Sequence, residues 1–414
     1  MDLIEVAIKV VREGPICDSC LGRQFAKLSR GLTNRERGGA VKTVLSMMSV
    51  QNIENLKIPD KEKCWICNGL FDKLEYWADK AVEELKDYDY ETFLVGTKVT
   101  GLLSENEEII WTESQTQWAE PAKSELNREV GKLISQKTLK EVDFSRPDLV
   151  LILDLEDDLV KIKLNSLFIY GRYRKLIRGI PQTRLFCKEC GGSGCEVCEG
   201  TGKRYKESVE ELLIWTALDR FRGSHASLHG AGREDIDALM LGNGRPFVLE
   251  IKDPILRNAD LARLKNEINE ENFGKLEVLG LKYVNKSTVK TIKTIKADKV
   301  YRVKISLDKD IEREKLEGAL INLKGAIKQK TPNRVIKRRA DLIRVRKVHD
   351  TELKSFEGDT AVIEIGCEGG LYIKELMTGD DGRTNPNLSD LLDTNVKVNE
   401  LDVTNVQIDE GHII

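Results

Sequence analysis

Residues 228–254 read LHGAGREDIDALMLGNGRPFVLEIKDP and combine charged residues with an apolar strand pattern. This stretch places Arg233, Glu234, Asp235 and Asp237 close together, passes through a Gly-Asn-Gly turn and ends in an apolar run of strand length. Charged residues that crowd into a connecting segment are candidates for catalysis or binding. The sequence therefore predicts a charged loop that leads into a β-strand, and this loop is the first place to look for chemistry.

Two mechanisms compete for these residues. In the first, Asp235 is a nucleophile or base held beside Arg233, whose charge keeps the carboxylate ionised in a partly dehydrated pocket. In the second, Asp235 or Asp237 joins Glu250 and Lys252, which share a strand face, as in metal-dependent nucleases, where carboxylates hold Mg²⁺ and the lysine orients water. A third interpretation is an acidic loop followed by a strand with a solvated edge. Residue types and spacing leave all three open.

The C-terminal part of the chain mixes helices and strands. They do not follow the regular alternation of a doubly wound parallel sheet, which favours an α+β class. Ser208 and Glu211 have the spacing of a capping box and predict the start of a helix at SVEELLIWTALDRF. Residues 206–414 are therefore predicted to form an α+β catalytic domain with a mixed sheet.

The remaining residues divide by composition, and 414 residues predict two or three domains. Residues 1–75 carry two cysteine pairs and a basic segment, and they predict an N-terminal zinc-binding domain. Residues 76–186 combine a helix with β-like runs and predict an α/β module, in which SRPDLVLILDL and KIKLNSLFIYGRYRKL are two strands. Residues 187–205 contain too much glycine for regular structure and predict a connector.

Eight of the nine cysteines form four C-x-x-C pairs, which indicate metal binding in a cytosolic protein. The pairs are Cys17/Cys20, Cys64/Cys67, Cys187/Cys190 and Cys195/Cys198. The first two pairs predict a closed tetrahedral zinc site, which is structural because no position remains for water. The last two form tandem C-x-x-C-x-G-x-G units whose glycines let backbone amides approach the sulfurs, and they allow a second zinc. These units also resemble the repeats of DnaJ-type chaperones, but only two are present and they abut.

The overall composition excludes some classes of protein and indicates a location. About 40% of residues are apolar and 33% are charged, and no apolar run approaches the roughly 18 to 20 residues that cross a bilayer. The N-terminal MDLIEVAIKVVREG is typical of an amphipathic helix and not of a signal peptide. We therefore expect a cytoplasmic protein that has no membrane partner.

One basic segment predicts an RNA-binding surface. Residues 328–348 carry nine lysines or arginines against the single acid Asp341, in a chain whose net charge is −3. Such a cluster can bind the phosphates of a folded RNA. The residues predicted to make these contacts are Arg334, Lys337, Arg338, Arg339, Arg344 and Arg346.

A family resemblance decides between the mechanisms. Arg233-Glu234-Asp235 resembles the catalytic Arg-x-Asp motif of pseudouridine synthases, and GREDID with LGNGRPFVLEI is similar to the family that modifies uridines 54 and 55 in the T-arm of archaeal tRNA. The likeness covers nearly the whole chain. It includes CDSCLGRQF, GLTNRERGGAVK and CWIC, a middle module that resembles a THUMP RNA-binding domain, and LYIKELMTGDDGRTNPNLSDLL.

The resemblance implies a role for each matching residue. Asp235 would be the catalytic nucleophile, Tyr301 would stack on the base, and Lys374 would pair with the Asp235 carboxylate. Substrate-binding positions would also include Arg233, Tyr372, Ile373 and Leu401. Without the resemblance, Tyr301 would be assigned to the core, because it shares a strand face with three apolar residues.

The resemblance also implies an activity and its partners. The expected activity is isomerisation of uridine 54 or 55 without an organic cofactor. The T-arm and elbow of tRNA are the expected partner, and no obligatory protein partner is evident. The alternatives to be tested are the Mg²⁺-dependent nuclease and a non-catalytic, zinc-organised RNA-binding protein.

Overall fold

The computed structural model describes residues 2–28, 30–50, 63–337, 339–408 and 411. The chain divides into two compact units. The first is Met1–Asn165 with Ile255–Arg257, and the second is Ser166–Pro254 with Asn258–Ile414. Within the described residues, no helix has both the length and the apolar character needed to span a membrane.

The first unit combines helices with a small sheet. Its helices are α1 (Leu3–Arg12), α2 (Asp18–Arg23), α3 (Asn34–Val50), α4 (Leu74–Glu84), α5 (Gly101–Ser114) and α6 (Ala122–Thr138). Its strands are β1 (Thr92–Lys98), β2 (Glu141–Val142), β3 (Leu149–Asp154) and β4 (Leu159–Leu164), in the order β2-β1-β3-β4. The strand β1 is parallel to β2 and β3, whereas β4 is antiparallel to β3.

Apolar periodicity explains how this unit packs. The N-terminal helix α1 is amphipathic, as predicted, and buries Val6, Val10 and Val11. Strand β1 alternates buried and half-buried residues, which gives it one face toward the core. One apolar cluster runs from Val6 to Val160. The segments predicted as the separate domains 1–75 and 76–186 therefore share a core.

The second unit is built on a large mixed sheet. Its helices are α7 (Val209–Phe221), α8 (Leu261–Glu271), α9 (Lys286–Thr294), α10 (Arg313–Asn322), α11 (Ile373–Thr378) and α12 (Leu388–Leu392). Its strands are β5 (Leu167–Lys175), β6 (His225–Gly230), β7 (Leu239–Lys252), β8 (Leu276–Val284), β9 (Asp298–Leu307), β10 (Gly325–Lys330), β11 (Ile343–Glu357), β12 (Thr360–Cys367), β13 (Thr384–Asn385) and β14 (Val396–Gln407).

The sheet order is β13-β10-β11-β12-β9-β14-β7-β5-β8, and β6 pairs with β7. Neighbouring strands are antiparallel except β14 and β7, which run parallel. The predicted helix start is confirmed, because the Ser208 hydroxyl accepts a hydrogen bond from the Glu211 amide. The mixed sheet with irregularly placed helices confirms the predicted α+β class.

One strand lies elsewhere than the sequence predicts. The run KIKLNSLFIYGRYRKL is predicted as a single strand of the middle module. In the structure the chain leaves the small sheet after Leu164, and β5 lies between β7 and β8 in the large sheet. Residues 168–173 are all buried, as expected for a strand covered on both faces. The division falls at Asn165 instead of the predicted boundary at residue 186.

The Gly-Asn-Gly sequence, predicted as a turn before a strand, lies inside β7, where it interrupts the regular pairing with β5. Gly242 has a φ of +57°, and a Cβ there would lie 1.7 Å from the carbonyl oxygen of Thr404, so only glycine fits. The side-chain amide of Asn243 takes the place of a backbone amide in the pairing with β14. It donates to the Val406 carbonyl at 2.8 Å and accepts from the Val406 amide at 2.9 Å. The interruption aligns the start of β7, and the charged loop before it, with β14.

Candidate active site

The charged loop of residues 231–238 connects β6 to β7. Consecutive side chains of this loop lie in different environments. Arg233 is exposed, Glu234 is buried and Asp235 is 37% exposed at its side chain. We call the side toward the sheet the inner side of the loop, and the side that carries Asp235 the outer side.

The inner side is held by a buried network around Glu234. The Glu234 carboxylate lies 2.7 Å from Nε of Arg245, and both of its oxygens lie 2.9 Å from the Tyr173 hydroxyl. Nη1 of Arg245 donates to the Ala231 carbonyl at 2.7 Å, and Gln182 donates to the Gly232 carbonyl at 3.0 Å. A buried ion pair is tolerated when hydrogen bonds satisfy its remaining polar atoms. This network fixes the loop to the sheet.

A buried lysine holds the loop backbone from beneath. Nζ of Lys175, at the end of β5, donates to the carbonyl oxygens of Ile180, Asp235 and Ile236 at 3.2, 3.1 and 3.2 Å. Burial lowers the pKa of this ammonium, whereas the negative charge of Glu234 acts in the opposite direction. Three carbonyl acceptors match the three donors of an ammonium. Lys175 thus orients the peptide that carries the Asp235 side chain.

On the outer side, Asp235 faces two cations. Nη1 of Arg334 lies 3.3 Å from one carboxylate oxygen of Asp235, and Nζ of Lys374 lies 3.6 Å from the same oxygen. The contact with Lys374 agrees with the prediction, although Lys374 lies closer to Asp237, at 2.7 Å. The cation beside Asp235 is therefore Arg334 and not Arg233 as predicted. Arg233 is exposed, and among the described residues it forms no ion pair.

Arg334 is itself anchored. Its Nε lies 2.6 Å from the buried carboxylate of Glu375 in α11. Burial acts to lower the pKa of the Arg334 guanidinium, but the hydrogen bond and charge of Glu375, with the charge of Asp235, raise it overall. A fixed positive charge next to Asp235 favours the carboxylate form.

Tyr301 lies on β9, opposite Ile365 of β12 and Val403 of β14. It is half-buried and packs against two of the apolar clusters of this unit. Burial raises the pKa of its hydroxyl, and the negative charges of Cys367 and Asp235 act in the same direction. An aromatic ring that is partly exposed close to a carboxylate can stack on a base.

The residues around the start of α11 contribute a second aromatic ring. Tyr372 precedes α11, and the guanidinium groups of Arg334 and Arg339 lie 5.9 and 6.0 Å from its ring centre. Nη1 of Arg339 also donates to the Tyr372 hydroxyl at 2.8 Å. Ile373 is buried in α11, and Leu401 is buried on β14. The motif YIK thus places one ring and one cation at the site and one apolar side chain in the core.

The residues predicted to bind RNA in the basic segment of residues 328–348 lie in different surroundings. Arg334 and Arg339 belong to the site, and Lys337 is exposed. Arg344 donates to the Thr331 hydroxyl at 2.9 Å, and Arg346 donates to the Gly369 carbonyl at 3.1 Å. Arg338 lies outside the described residues.

The nuclease arrangement is not formed. Glu250 pairs with His229 at 3.0 Å and lies opposite Phe168 in the sheet, whereas Asp235 is held by Lys175. Lys175 and Phe168 are seven residues apart on β5, which corresponds to about 23 Å. Asp235 and Glu250 therefore lie at opposite ends of the strands and cannot share a metal ion.

The first four cysteines come together in the first unit. The sulfur atoms of Cys17, Cys20, Cys64 and Cys67 all lie within 4.8 Å of one another, with 3.7 Å between Cys17 and Cys67. Four sulfurs around one zinc at about 2.3 Å would be about 3.8 Å apart. Arg23 is fully buried beside them, with Nη2 3.5 Å from the Cys20 sulfur. The Arg23 guanidinium also pairs with Glu107 at 3.3 Å and Glu125 at 3.2 Å, so its charge is shared between these carboxylates and the sulfur cluster.

The other four cysteines form a second cluster within one loop. The sulfurs of Cys187, Cys190, Cys195 and Cys198 lie within 4.8 Å of one another. As predicted, backbone amides approach the sulfurs: the Gly194 amide lies 3.2 Å from Cys190 and the Gly202 amide 3.2 Å from Cys198. Both clusters can therefore hold a metal ion, and four sulfur ligands leave no open position for catalysis.

Comparison with protein families gives two matches. The profile described as "Pus10, C-terminal" matches residues 168–407, and the profile described as "Pus10 THUMP domain, archaeal" matches residues 77–154. The first match covers the large sheet, the loop of residues 231–238 and α11. The second covers α4 to β3 of the first unit.

Individual relatives match along the whole chain. Proteins named tRNA pseudouridine synthase Pus10 from Methanothrix thermoacetophila, Halorubrum lacusprofundi and Pyrococcus furiosus are 47%, 43% and 37% identical to it. Each alignment covers 98% of this chain, and 94%, 97% and 98% of the respective relative. A solved structure titled "Crystal Structure of a Cbf5-Nop10-Gar1 Complex" is similar with a TM-score of 0.31 and 18% identity, over 49% of this chain and 47% of that chain.

Proposed function

The chain belongs to the Pus10 family of tRNA pseudouridine synthases, and from this premise we propose that it isomerises uridine 54, uridine 55 or both in the T-arm of tRNA, with Asp235 as nucleophile. The observation that carries the proposal is the half-exposed carboxylate of Asp235, which is held between Arg334 and Lys374 on a loop fixed from beneath.

The reaction needs a nucleophile and confinement. The bond between N1 of uracil and C1′ of ribose breaks, the base turns, and C5 bonds to C1′. The proton on C5 is lost and N1 gains one, so atoms and electrons balance without a redox cofactor. Asp235 can serve as the nucleophile that assists cleavage at the ribose. In this proposal Arg334 and Lys374 orient the carboxylate, and their fixed charges require no rearrangement during the reaction.

The uridine must leave its stack to reach Asp235, at a cost of a few kcal/mol. The ring of Tyr301 provides a surface for the extruded base, and Arg334, Lys337 and Arg339 provide positive charge for the RNA backbone. Arg233 is exposed on the same loop, where it can contact the RNA but does not support Asp235. The THUMP region of the first unit is proposed to hold the rest of the tRNA elbow.

The decisive experiment uses unmodified tRNA transcript and purified protein, without other proteins or added Mg²⁺. Pseudouridine and strand breaks are both mapped, on transcripts with uridine at 54 and 55 and with each replaced by cytidine. Asp235→Asn is expected to abolish pseudouridine and to leave tRNA affinity within about twofold. The control Asp237→Asn, which removes a neighbouring carboxylate, should keep most activity. Pseudouridine formed by Asp235→Asn would refute the assignment, and strand breaks that appear only in a parallel reaction with Mg²⁺ would restore the nuclease.

We also propose that both cysteine clusters hold structural zinc, because all four sulfur positions in each are close enough for one ion. Elemental analysis of the purified protein should give two zinc ions per chain. Cys64→Ser should remove one of them and Cys190→Ser the other, and a wild-type protein without zinc would contradict the proposal. The expected location of this tRNA-modifying enzyme is the cytoplasm, which fractionation of the source cells would test.

A further inference from the structure

A row of lysines lies on the helix α9, away from the cationic residues around Asp235. Lys286, Lys290 and Lys293 are separated by four and three residues, so they follow one face of the helix. All three side chains are exposed. Between Val284 and Ala297 the sequence contains no acidic residue. The row is about 10 Å long at 1.5 Å per residue.

These lysines differ from several other exposed lysines of the same unit. In the part of the chain that the structure describes, none of the three forms an ion pair. By contrast, Lys309 pairs with Asp393, Lys324 with Asp350 and Lys354 with Glu352. Three neighbouring ammonium groups without acidic partners repel one another, and an anionic ligand would relieve that repulsion.

The opposite face of α9 fixes the helix next to the catalytic loop. Ile292 is fully buried in a cluster with Val248 of β7 and Ala231, and Ala231 is four residues before Asp235. The chain then continues from α9 into β9, which carries Tyr301. The lysine row therefore lies on a helix that packs against β6 and β7, the two strands that the loop connects, and that leads into the strand of Tyr301.

The chemistry of the exposed face favours a phosphate backbone. Ser287 lies among the lysines, and hydroxyl groups with ammonium groups are common contacts of RNA phosphates. A lipid surface would need an apolar face for insertion, and the apolar face of α9 is already buried in the sheet.

We infer that Lys286, Lys290 and Lys293 bind the phosphate backbone of the substrate tRNA and position it for the catalytic loop. This inference rests on the proposed function, because it takes tRNA as the ligand. The lysines would contact phosphates along the tRNA backbone and would not distinguish one base sequence from another. It is a positioning surface, separate from the arginines that contact Tyr372 and Asp235.

The test replaces all three lysines by glutamine and measures binding of unmodified tRNA at several salt concentrations. We expect the Kd to rise at least tenfold near physiological salt. The slope of log Kd against log salt concentration should fall by about two to three, since each phosphate contact contributes roughly 0.7 to 0.9. At protein concentrations below the Kd, the single-turnover rate of pseudouridine formation should fall in proportion to the loss of affinity.

The matched control replaces Lys309, Lys324 and Lys354 by glutamine, which makes the same change in net charge. Its Kd should change less than twofold, because those lysines are already paired. Replacing the α9 lysines by arginine should preserve tRNA binding. If the triple glutamine variant does not fold, the three single glutamine variants are measured instead, and each should weaken tRNA binding. The inference is overturned if the α9 variant binds tRNA like the control. A wild-type protein that binds tRNA but forms no pseudouridine would instead refute the proposed function, since tRNA affinity is measured independently of catalysis.

Discussion

The inner and outer sides of the loop of residues 231–238 use similar charged groups in opposite ways. On the inner side, Glu234 and Arg245 form a buried pair at 2.7 Å that is completed by the Tyr173 hydroxyl. On the outer side, Asp235 and Arg334 are separated by 3.3 Å and are both more than a third exposed. The inner pair holds the backbone in place, whereas the outer pair remains open to a substrate.

The difference shows how one short segment can be rigid and reactive. A buried charge without its partner is costly, so the inner side tolerates only one arrangement. An exposed ion pair contributes about 0 to 1 kcal/mol, so Asp235 can exchange its contacts for contacts with RNA at little cost. We therefore expect substitutions on the inner side to change stability, and a substitution of Asp235 on the outer side to change the reaction.

The largest effect is expected from Glu234→Gln. This change leaves the buried guanidinium of Arg245 without its counter-charge, and it should lower the free energy of unfolding by about 3 to 5 kcal/mol. Chemical denaturation of the full chain measures this loss. The control is Glu250→Gln, which removes a partly exposed carboxylate at the other end of β7 and should cost about 1 kcal/mol or less. Equal losses in the two variants would contradict the distinction between the sides.

A smaller effect on stability and a clear effect on rate are expected from Lys175→Met. The change removes three hydrogen bonds to the loop backbone, and carbonyl groups left unsatisfied cost about 1 to 3 kcal/mol. Because Asp235 then loses its alignment, kcat should fall about 10- to 100-fold. The tRNA Kd should not change, because Lys175 is buried. A variant with normal kcat would show that the outer side alone positions Asp235.

A loss of rate together with a loss of stability is expected from Arg334→Gln. It removes the closest cation of Asp235, so the single-turnover rate should fall about tenfold, which corresponds to about 1.4 kcal/mol. The melting temperature should also fall, because the buried carboxylate of Glu375 loses the guanidinium that lies 2.6 Å from it. Arg334→Lys keeps the charge and should recover part of the rate.

Arg233→Gln provides the comparison for Arg334→Gln. It should leave the single-turnover rate constant within about threefold, because Arg233 does not contact Asp235. A rate loss with Arg233→Gln as large as with Arg334→Gln would mean that Arg233 moves next to Asp235 when tRNA binds.

The sequence predicts the components of the site better than their arrangement. Asp235, Tyr301, Tyr372 and Lys374 were all identified from motifs, and the structure brings Lys374 to 3.6 Å from Asp235. The partner predicted for Asp235 was its neighbour in the sequence, Arg233. The residues of the inner side other than Glu234 were not identified, because a buried tyrosine or lysine at the end of an apolar strand gives no signal in the sequence.

Motifs in the sequence are enough to indicate the family, the cysteine clusters and the helix that begins after Ser208, and to propose Asp235 as the nucleophile, because each depends on residues that lie close together or form a recognisable motif. Only the tertiary structure decided which cation lies beside Asp235, which strand carries Lys175 and how far Glu250 is from the loop. Arg334 is 99 residues from Asp235 in the chain. Contacts of this kind depend on strand order and side-chain direction, which local patterns of hydrophobicity and charge do not specify.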